Sequence, residues 1–469
     1  MSLVGKSVTP ERAAKIWVGS DYRESDLAYA RYVRDLLLEV GSDVRYIEGV
    51  GYLLYWDGVW TVDADSIRLR AWVHTAAEGV LHSYDSVGKK MDAFSRKISG
   101  SMGIDGAVKE IRALAGVLTD IEDFDTHNHL LCVRNGVVDL RLKKLLPHDP
   151  SYLFTKQVGV NYNEDAAATR WEKFVSEVFP DASIAAFMQR LLGYAITGET
   201  SEQAFSVFYG DGANGKSVLQ GVFGDVFEGI TSQVPFEIFE SKGGSGSPEI
   251  AALRGARIVM TSEGEAGKPM KEALLKRLSG DERITARALY QSPISFVPHF
   301  KIFMASNAKP SFRGVDHGLW RRVKLIPFVR TFSVEERDYS LQSKLMSEAQ
   351  GILAWAVDGA AQWYANGLCE PAAIVAATSE YRHSEDALSE WALQKGWQLG
   401  GADGEVRLTD LFKDYDTWCY ENRVDDALRT RAFQRSIEAR KGVRKIRKSS
   451  GTIYKGVAKS LTNNEEAGQ

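Results

Sequence analysis

The sequence predicts an α/β protein with a parallel-sheet core between a mostly helical N-terminal region and a small basic C-terminal unit. Strand-like apolar runs at 205–209, 257–261, 301–305 and 323–327 alternate with helical or loop segments. Apolar residues upstream of about residue 125 recur mainly at helical spacing. Residues 429–459 contain eleven Lys or Arg and one acid, so this stretch carries +10 and the remainder −14. A solvated charged surface is the plainer explanation of that stretch.

Bulk composition is that of an ordinary globular protein. The chain has 469 residues, enough for about three domains at roughly 150 residues each. It has no run of about 18 apolar residues, so no membrane span is expected. Its first residues lack the apolar core of a signal peptide, so we expect a cytoplasmic protein. Cys132, Cys369 and Cys419 are too scattered for a zinc ribbon.

The chain divides into six predicted segments. They are a helical domain at 1–125, a strand-rich segment and helical collar at 126–200, a core at 201–335, helices at 336–383, a basic unit at 384–460 and a polar tail at 461–469. Two hairpin turns are predicted in the first half, at Asp57-Gly58 and at Asn135-Gly136.

The strongest motif is GDGANGKS, which matches the phosphate-binding pattern G-x-x-x-x-G-K-[ST] between a predicted strand and a predicted helix. Its glycines would let backbone N–H groups wrap a phosphate without Cβ clashes. The lysine would reach the β- and γ-phosphates, and the serine hydroxyl would bind Mg²⁺. The predicted nucleotide-binding residues are Gly210, Asp211, Gly212, Ala213, Asn214, Gly215, Lys216 and Ser217. A chance glycine-rich turn is the alternative, and the motif alone does not separate a motor from a kinase or a switch protein.

Three polar residues after the next strands are candidates for the chemistry. Glu263 follows the strand ARIVMTS, at the place where an adjacent parallel strand would deliver an acid to Mg²⁺ and the attacking water. Glu265 is a second acid close by. Asn307 ends the strand KIFMAS and could hold the lytic water or the γ-phosphate. The acids could instead be solvated loop residues, and Asn is a common turn former.

Paired arginines, Arg321 and Arg322, precede the last strand of the core. An arginine supplied by a neighbouring subunit can stabilise charge on a transferring phosphoryl group, which is worth roughly 10³–10⁵ in rate. In that role the site would be incomplete in a monomer. A structural ion pair is the alternative.

The order of these motifs resembles that of superfamily 3 helicases, and more narrowly the primase-helicase family of phages, plasmids and poxviruses. The resemblance rests on GDGANGKS, the strand ending in Glu263, LLKRLSGDERITARALY, KIFMASNAKP and WRRVKLIPF, with NGVVDLRLKKLLPHDP and FMQRLLGYAITGETSEQ upstream. It covers roughly residues 25–460. It implies a P-loop, AAA+-like superfamily 3 ATPase core, with ATP and Mg²⁺ as cofactors.

The resemblance also implies roles for further residues. Lys276, Gly280 and Asp281 fall on the family's extra motif, and residues 283–297 fall on the hairpin that projects into the ring's channel. The implied DNA-contacting residues there are Lys276, Arg287 and Tyr290. From composition alone, ITARALY is equally a buried strand. Of the two arginines, Arg322 lies closer to the position of the family's arginine finger, the arginine that a neighbouring subunit supplies, and Arg321 is second. Many relatives carry a primase in front, and we expect this chain to lack one and to use a separate primase or polymerase.

The basic unit reads as two helices, 411–420 and 430–439, followed by a basic hairpin around Ser449–Gly451. In the second helix, Phe433 and Ile437 are four residues apart and can face a core. Arg431 and Arg435 are also four apart and can face a phosphate backbone. The family tends to have a winged helix here, whose contacts would make binding fall steeply with salt. The predicted DNA-contacting residues are Arg431, Arg435, Lys445 and Arg447.

The sequence therefore predicts an ATP-driven replicative helicase that acts as a ring, expected to be a hexamer, on single-stranded and forked DNA in phage or plasmid replication. It would then lie in the host cell's cytoplasm if phage-encoded. A nucleotide-switched origin-binding or scaffold protein without unwinding activity is the main alternative. A small-molecule kinase is a weaker one, because it leaves the hairpin segment and the basic stretch unexplained.

Overall fold

The structure is a computed structural model of the chain. It describes residues 8–20, 22, 24–86, 92–240, 247–261, 269–287, 293–307, 309–312, 317–384, 387–422, 424, 427–438, 440–448 and 451–459. Within these ranges, no helix combines the length and the apolar character needed to cross a bilayer.

The N-terminal region is a helical layer with one small antiparallel sheet. Its elements are α1 (Pro10–Gly19), α2 (Asp26–Glu39), β1 (Val44–Ile47), β2 (Gly51–Trp56), β3 (Val59–Val62), α3 (Ile67–Ser86), α4 (Ala93–Ser99) and α5 (Ser101–Ile111). The predicted turn is confirmed, since Asp57 and Gly58 link β2 to β3 with φ of 48° and 92°. The sequence did not predict β1. The Asp63 carboxylate accepts hydrogen bonds from two backbone N–H groups in the first turn of α3, so it acts as a helix cap.

A second small sheet and two helices precede the core. They are β4 (Leu130–Val133), β5 (Gly136–Asp139), β6 (Lys144–Leu146), α6 (Thr169–Val178) and α7 (Ala182–Ile196). The predicted hairpin is confirmed as β4 and β5, with its turn one residue earlier than the Asn135-Gly136 signal. Val133 pairs with Gly136, so the two-residue turn is Arg134-Asn135 and Gly136 already belongs to β5. The Asn135 side chain holds this turn through hydrogen bonds to the backbone of Tyr162 at 2.8 and 2.9 Å.

The core is a five-stranded parallel sheet with helices on both faces. Its elements are β7 (Phe205–Tyr209), α8 (Lys216–Val226), β8 (Thr231–Val234), α9 (Ser247–Ala251), β9 (Ile258–Thr261), α10 (Glu272–Leu278), β10 (Ile284–Ala286), β11 (Ile294–Phe296), β12 (Lys301–Ser306), α11 (His317–Trp320) and β13 (Val323–Pro327). The sheet order is β13-β7-β12-β9-β8. The four predicted strands are confirmed, and β8 is an edge strand that the sequence did not predict. A separate antiparallel pair, β10 and β11, lies outside this sheet.

Residues of the parallel sheet point alternately into two hydrophobic clusters. On β12, Phe303 packs with the helices α6, α7 and α8, whereas Ile302 and Met304 pack into the other cluster. All six residues of β12 are buried. A strand covered on both faces needs apolar side chains at every position, which explains the unbroken apolar runs in the sequence.

Two buried cations anchor the sheet to the end of α7. Arg257 donates to the carbonyl oxygens of Ile196 and Leu130 at 2.8 and 2.7 Å. The Lys301 ammonium donates to the Thr197 carbonyl at 2.5 Å. The last carbonyls of a helix carry partial negative charge and lack intrahelical partners, so cations there satisfy them.

The chain ends in three helices that complete the core and in a small mixed unit. The helices are α12 (Leu341–Met346), α13 (Ala349–Asn366) and α14 (Ala372–Ser384). The unit contains α15 (Ala387–Gln394), β14 (Trp397–Leu399), β15 (Glu405–Arg407), α16 (Leu408–Glu421), α17 (Thr430–Glu438), β16 (Arg444–Lys448), β17 (Gly451–Lys455) and β18 (Val457–Lys459). The predicted basic hairpin is confirmed as β16 and β17. The unit also has strands that were not predicted, of which β15 extends that hairpin to three strands.

Candidate nucleotide site and nucleic-acid surfaces

The glycine-rich loop connects β7 at the carboxyl edge of the sheet to the first turn of α8. Gly215 has φ of 89° and is the N-cap of α8. The buried side chain of Asn214 fixes the loop from within, because it donates to the Asp211 carbonyl at 2.8 Å and accepts from the Lys216 N–H at 3.3 Å. The loop thus presents the N-terminal end of a helix at the sheet edge, an arrangement that favours anions.

Only two of the three loop glycines are required by the surrounding protein. A Cβ at Gly210 would collide with the Phe328 carbonyl, and one at Gly215 would lie 2.7 Å from Val178. At Gly212 a Cβ would meet nothing within 4 Å. The prediction that a glycine at 212 avoids a Cβ clash with a bound phosphate stays a prediction. Ala213, by contrast, adopts a positive φ of 59°.

The segment after β13 supports the loop from outside, which sequence reasoning missed. The Phe332 N–H donates to the Ala213 carbonyl at 2.8 Å, and the Phe328 N–H donates to the Tyr209 carbonyl at 2.7 Å. The Arg330 guanidinium lies 4.4 Å from the centre of the Phe332 ring.

Lys216 and Asn307 meet at the carboxyl edge of the sheet. Strands β7 and β12 are parallel neighbours, with Tyr209 opposite Ser306, so the residues that follow them emerge side by side. Lys216 Nζ lies 2.9 Å from Asn307 Oδ1 and also donates to the Gly210 carbonyl. Only 2% of Lys216 is exposed. An ammonium and a polar amide therefore lie together at the N-terminus of α8, as the motif spacing predicts.

Strand β9, which precedes Glu263, occupies a different place in the sheet from the predicted one. Strand β9 is not adjacent to β7, because β12 lies between them. Glu263 and Glu265 fall outside the described residues, so their predicted roles stay predictions. At the end of β9 the Thr261 hydroxyl is buried and has no hydrogen-bond partner in the described part of the chain. A buried polar group of this kind calls for an additional partner at this edge of the sheet.

The paired arginines differ in exposure and both contact their own chain. Arg321 is exposed and donates to the Gln203 side chain at 2.7 Å. Arg322 is half-buried and makes long contacts of 3.4 Å to the Ser279 backbone and hydroxyl oxygens. Burial lowers the pKa of Arg322, with a smaller contribution from Arg321. The contacts of Arg322 with Ser279 thus connect the arginine pair to the end of α10, where the predicted extra motif lies.

The predicted channel hairpin is present at its stem. Ile284 of β10 pairs with Phe296 of β11, and both residues are buried. The alternative that ITARALY forms a buried strand is therefore also correct in part. Arg283 forms an ion pair with Glu122, which fastens the stem to the segment before β4. Arg287 is exposed at the end of the stem. Tyr290 lies outside the described residues, and Lys276 of the predicted extra motif is half-buried on α10.

The basic unit separates its apolar and cationic residues as the helical spacing predicts. Phe433 and Ile437 are fully buried, whereas Arg431 and Arg435 are exposed on the other side of α17. We call the exposed side, defined by Arg431 and Arg435, the α17 face. Arg447 is also exposed. Lys445 instead forms an ion pair with Glu438 at 2.7 Å, so part of its charge is offset within the unit.

Comparison with protein families identifies two segments of the chain. Residues 29–180 match the family described as "D5 N terminal like". Residues 208–322, which include the glycine-rich loop and the arginine pair, match a "Family of unknown function (DUF5906)".

Curated relatives come from large DNA viruses. A protein named "putative helicase" of Acanthamoeba polyphaga mimivirus is 28% identical over 341 residues, which is 68% of this chain and 36% of the relative. A "putative helicase" of Invertebrate iridescent virus 6 is 25% identical over 50% of this chain and 26% of the relative. A "putative primase" of African swine fever virus is 22% identical over 73% of this chain and 38% of the relative. The chain therefore spans about a third of the length of these relatives.

Among solved structures, the A form apo structure of the NrS-1 C terminal region is similar, with a TM-score of 0.48 and 13% identity over 91% of this chain and 98% of that one.

The fold and site define a mixed α/β protein whose parallel sheet carries a glycine-rich, lysine-containing loop at its carboxyl edge. In the matched segment at 29–180 and in its viral relatives, which are named putative helicases and primases, the chain is similar to D5-like primase-helicases.

Proposed function

We propose that the protein is an ATP-driven DNA helicase of superfamily 3 that moves along single-stranded DNA as a ring. The single observation that supports this most strongly is the meeting of Lys216 Nζ and Asn307 Oδ1, 2.9 Å apart, at the N-terminus of α8. A kinase or a switch protein could share that geometry. The viral relatives named as helicases favour the motor.

The residues of the loop fit a Mg²⁺–nucleoside triphosphate. Backbone N–H groups of the loop and the first turn of α8 would hold the phosphates, and Lys216 would neutralise the β- and γ-phosphates. The hydroxyl of Ser217, an exposed residue, would be the metal ligand on this side, and Glu263 would polarise the attacking water. The bound Mg²⁺–ATP supplies the phosphoanhydride bond whose hydrolysis drives movement. Asn307 holds the γ-phosphate or the water in line.

A neighbouring subunit completes the site in this proposal. Arg321 and Arg322 lie where β13 begins, at the amino edge of the sheet, whereas the glycine-rich loop leaves its carboxyl edge. Because parallel strands run in one direction, the arginines are at the opposite edge from the nucleotide site of their own chain. Their use in catalysis therefore requires a second copy, and a closed hexamer satisfies that requirement for every subunit.

DNA contacts come from two places in the proposal. Arg287, at the end of β10, would contact one strand by phosphate binding, and Tyr290 would contact it by base stacking. The basic unit, read as a winged helix, contributes its α17 face, with Arg447 on the adjoining hairpin. A primase or polymerase on another chain is the expected functional partner.

Substitution of the loop lysine tests the proposal. The Lys216→Ala variant should lose DNA-stimulated ATP hydrolysis and separation of a forked duplex. Lys109→Ala, which changes an exposed lysine of α5, is the matched control and should retain both. Normal unwinding by Lys216→Ala would exclude the assignment.

The same assay addresses the nucleotide-switched scaffold. If the unsubstituted protein binds DNA in a nucleotide-dependent way but separates no strands in a strand-displacement assay, the motor proposal fails and the scaffold replaces it. ATP hydrolysis that DNA does not stimulate would instead favour the kinase alternative.

A further inference from the structure

The three-stranded sheet of the basic unit has an inner and an outer face. On the inner face Tyr454 is fully buried and its hydroxyl donates to Glu438 of α17 at 3.0 Å. Lys445 lies opposite Tyr454 in the register and pairs with the same Glu438. Residues that are directly opposite in an antiparallel pair point to the same side. The inner face of the sheet is therefore the one packed against α17.

The outer face consists of the alternate residues of the same strands. Ile446 lies opposite Ile453, and Ile453 lies opposite Arg407 of β15, so these three form one row across the sheet. Arg444 and Lys455 form the next row together with Glu405. Neither isoleucine belongs to the hydrophobic cluster formed by the helices of this unit. The row of isoleucines is therefore bordered by charged residues on the side away from α17.

Positive charge dominates this outer face. Its four cations, Arg407, Arg444, Lys448 and Lys455, are all exposed. Glu405 is the one acid that the described strands place there, and it pairs with Lys448 at 3.2 Å and Lys455 at 2.7 Å. Four cations and one carboxylate leave three positive charges in excess. For Arg407 and Arg444 the described part of the chain shows no carboxylate partner within ion-pair distance.

We propose that this outer face binds a segment of nucleic-acid backbone separate from the one that the α17 face contacts. The two cationic surfaces lie on opposite sides of one sheet, so one straight segment cannot contact both. Exposed cations on three neighbouring strands suit a polyanion whose phosphates repeat along its length. The inference rests on the proposed function and extends it, because it adds to the basic unit a second surface that binds a nucleic-acid strand.

The test compares two sets of substitutions in the full chain. Outer-face substitutions are Arg407→Gln, Arg444→Gln and Lys455→Gln combined, and α17-face substitutions are Arg431→Gln and Arg435→Gln combined. Lys413→Gln on α16, an exposed lysine of the same unit, is the control. The measurement is binding of a labelled single-stranded oligonucleotide of mixed sequence by fluorescence anisotropy over a series of salt concentrations. Circular dichroism and thermal unfolding check that each variant keeps the fold.

Each phosphate contact that is lost lowers the slope of log K against log salt by about 0.7 for single strands, so the outer-face variant should lose about 2 in slope. The α17-face variant should lose about 1.4, and the combined variant the sum of both. An unchanged slope in the folded outer-face variant overturns the inference, and an acidic protein segment would then be the better occupant. If only the α17-face variant is unchanged, the proposed α17 contact fails and the outer-face contact stands.

Discussion

Asn307 Oδ1 accepts a hydrogen bond from Lys216 Nζ at 2.9 Å, so the strand end that follows β12 is in direct contact with the loop that follows β7. The two residues are 91 positions apart, and the parallel register of the strands brings them together. An amide can accept from the lysine and, after a rotation, donate to a phosphate oxygen or orient a water.

Two substitutions at Asn307 should have different effects. Asn307→Ala removes a hydrogen-bonding group from the transition state and should lower kcat for ATP hydrolysis by roughly 10²-fold. Binding of a non-hydrolysable nucleotide should change little. Asn307→Asp should weaken nucleotide binding itself, because the carboxylate would pair with Lys216 and repel the phosphates. Titration with a fluorescent nucleotide analogue, beside steady-state ATPase rates, separates the two. Equal losses of affinity in both variants would contradict this account.

Mixed oligomers test whether the arginines act across a subunit boundary. Lys216→Ala subunits and Arg322→Ala subunits should each be inactive alone. When mixed, some boundaries combine an intact loop with an intact arginine and should recover ATPase activity, with a maximum when the two variants are mixed in equal amounts. The same experiment with Arg321→Ala identifies which arginine acts. Absence of recovery for both, in oligomers shown to exchange subunits, would place the arginines in a purely structural role.

Much of the core could be predicted because its residues follow strong local rules. Strands covered on both faces give unbroken apolar runs, and β7, β9, β12 and β13 were identified in this way. Strand β8 was missed because it is an edge strand with the polar sequence TSQV, only one of whose residues is buried. Its place in the sheet depends on backbone pairing with β9 rather than on any pattern of its own.

The geometry at the carboxyl edge of the sheet could be predicted only in part. The pairing of Lys216 with Asn307 follows from parallel strands that end at one edge. The order of strands cannot be deduced from chain order, because it depends on how the connections cross, so the place of β12 between β7 and β9 was missed. The support that Phe332 gives to Ala213 was missed because a backbone hydrogen bond leaves no trace in the side chains.

The three cysteines should react at very different rates. Burial raises the pKa of the Cys132 thiol to about 12 and also raises the pKa of Cys419, whereas Cys369 is exposed. Because the thiolate is the reactive form, only Cys369 should react rapidly with a disulfide reagent at pH 8. All three should react in denaturant. Cys369→Ser should abolish the fast phase, and a fast phase that survives this substitution would show that a buried thiol becomes accessible in the native state.

The buried amine of Lys301 should give stability a specific pH dependence. Its pKa is lowered well below the ordinary value, first by burial and then by the charge of Arg257. The unfolded chain therefore binds more protons than the folded one between the lowered pKa and the unfolded value of about 10.4. Through that window, the contribution of this residue to the free energy of unfolding rises with pH, since the folded state no longer has to bury a charge.

Lys301→Met keeps the length of the side chain but removes the proton and the donors to the Thr197 carbonyl. The variant should be less stable than the unsubstituted protein. The difference in the free energy of unfolding should widen as pH rises through the window, because only the unsubstituted protein loses a buried charge there. Denaturant unfolding at a series of pH values measures the difference, and Lys109→Met, on an exposed lysine, corrects for the general effect of removing one amine. A difference that stays constant with pH, or that narrows, would show that the ammonium is not penalised by burial, and that the carbonyls of Thr197 and His299 stabilise it fully.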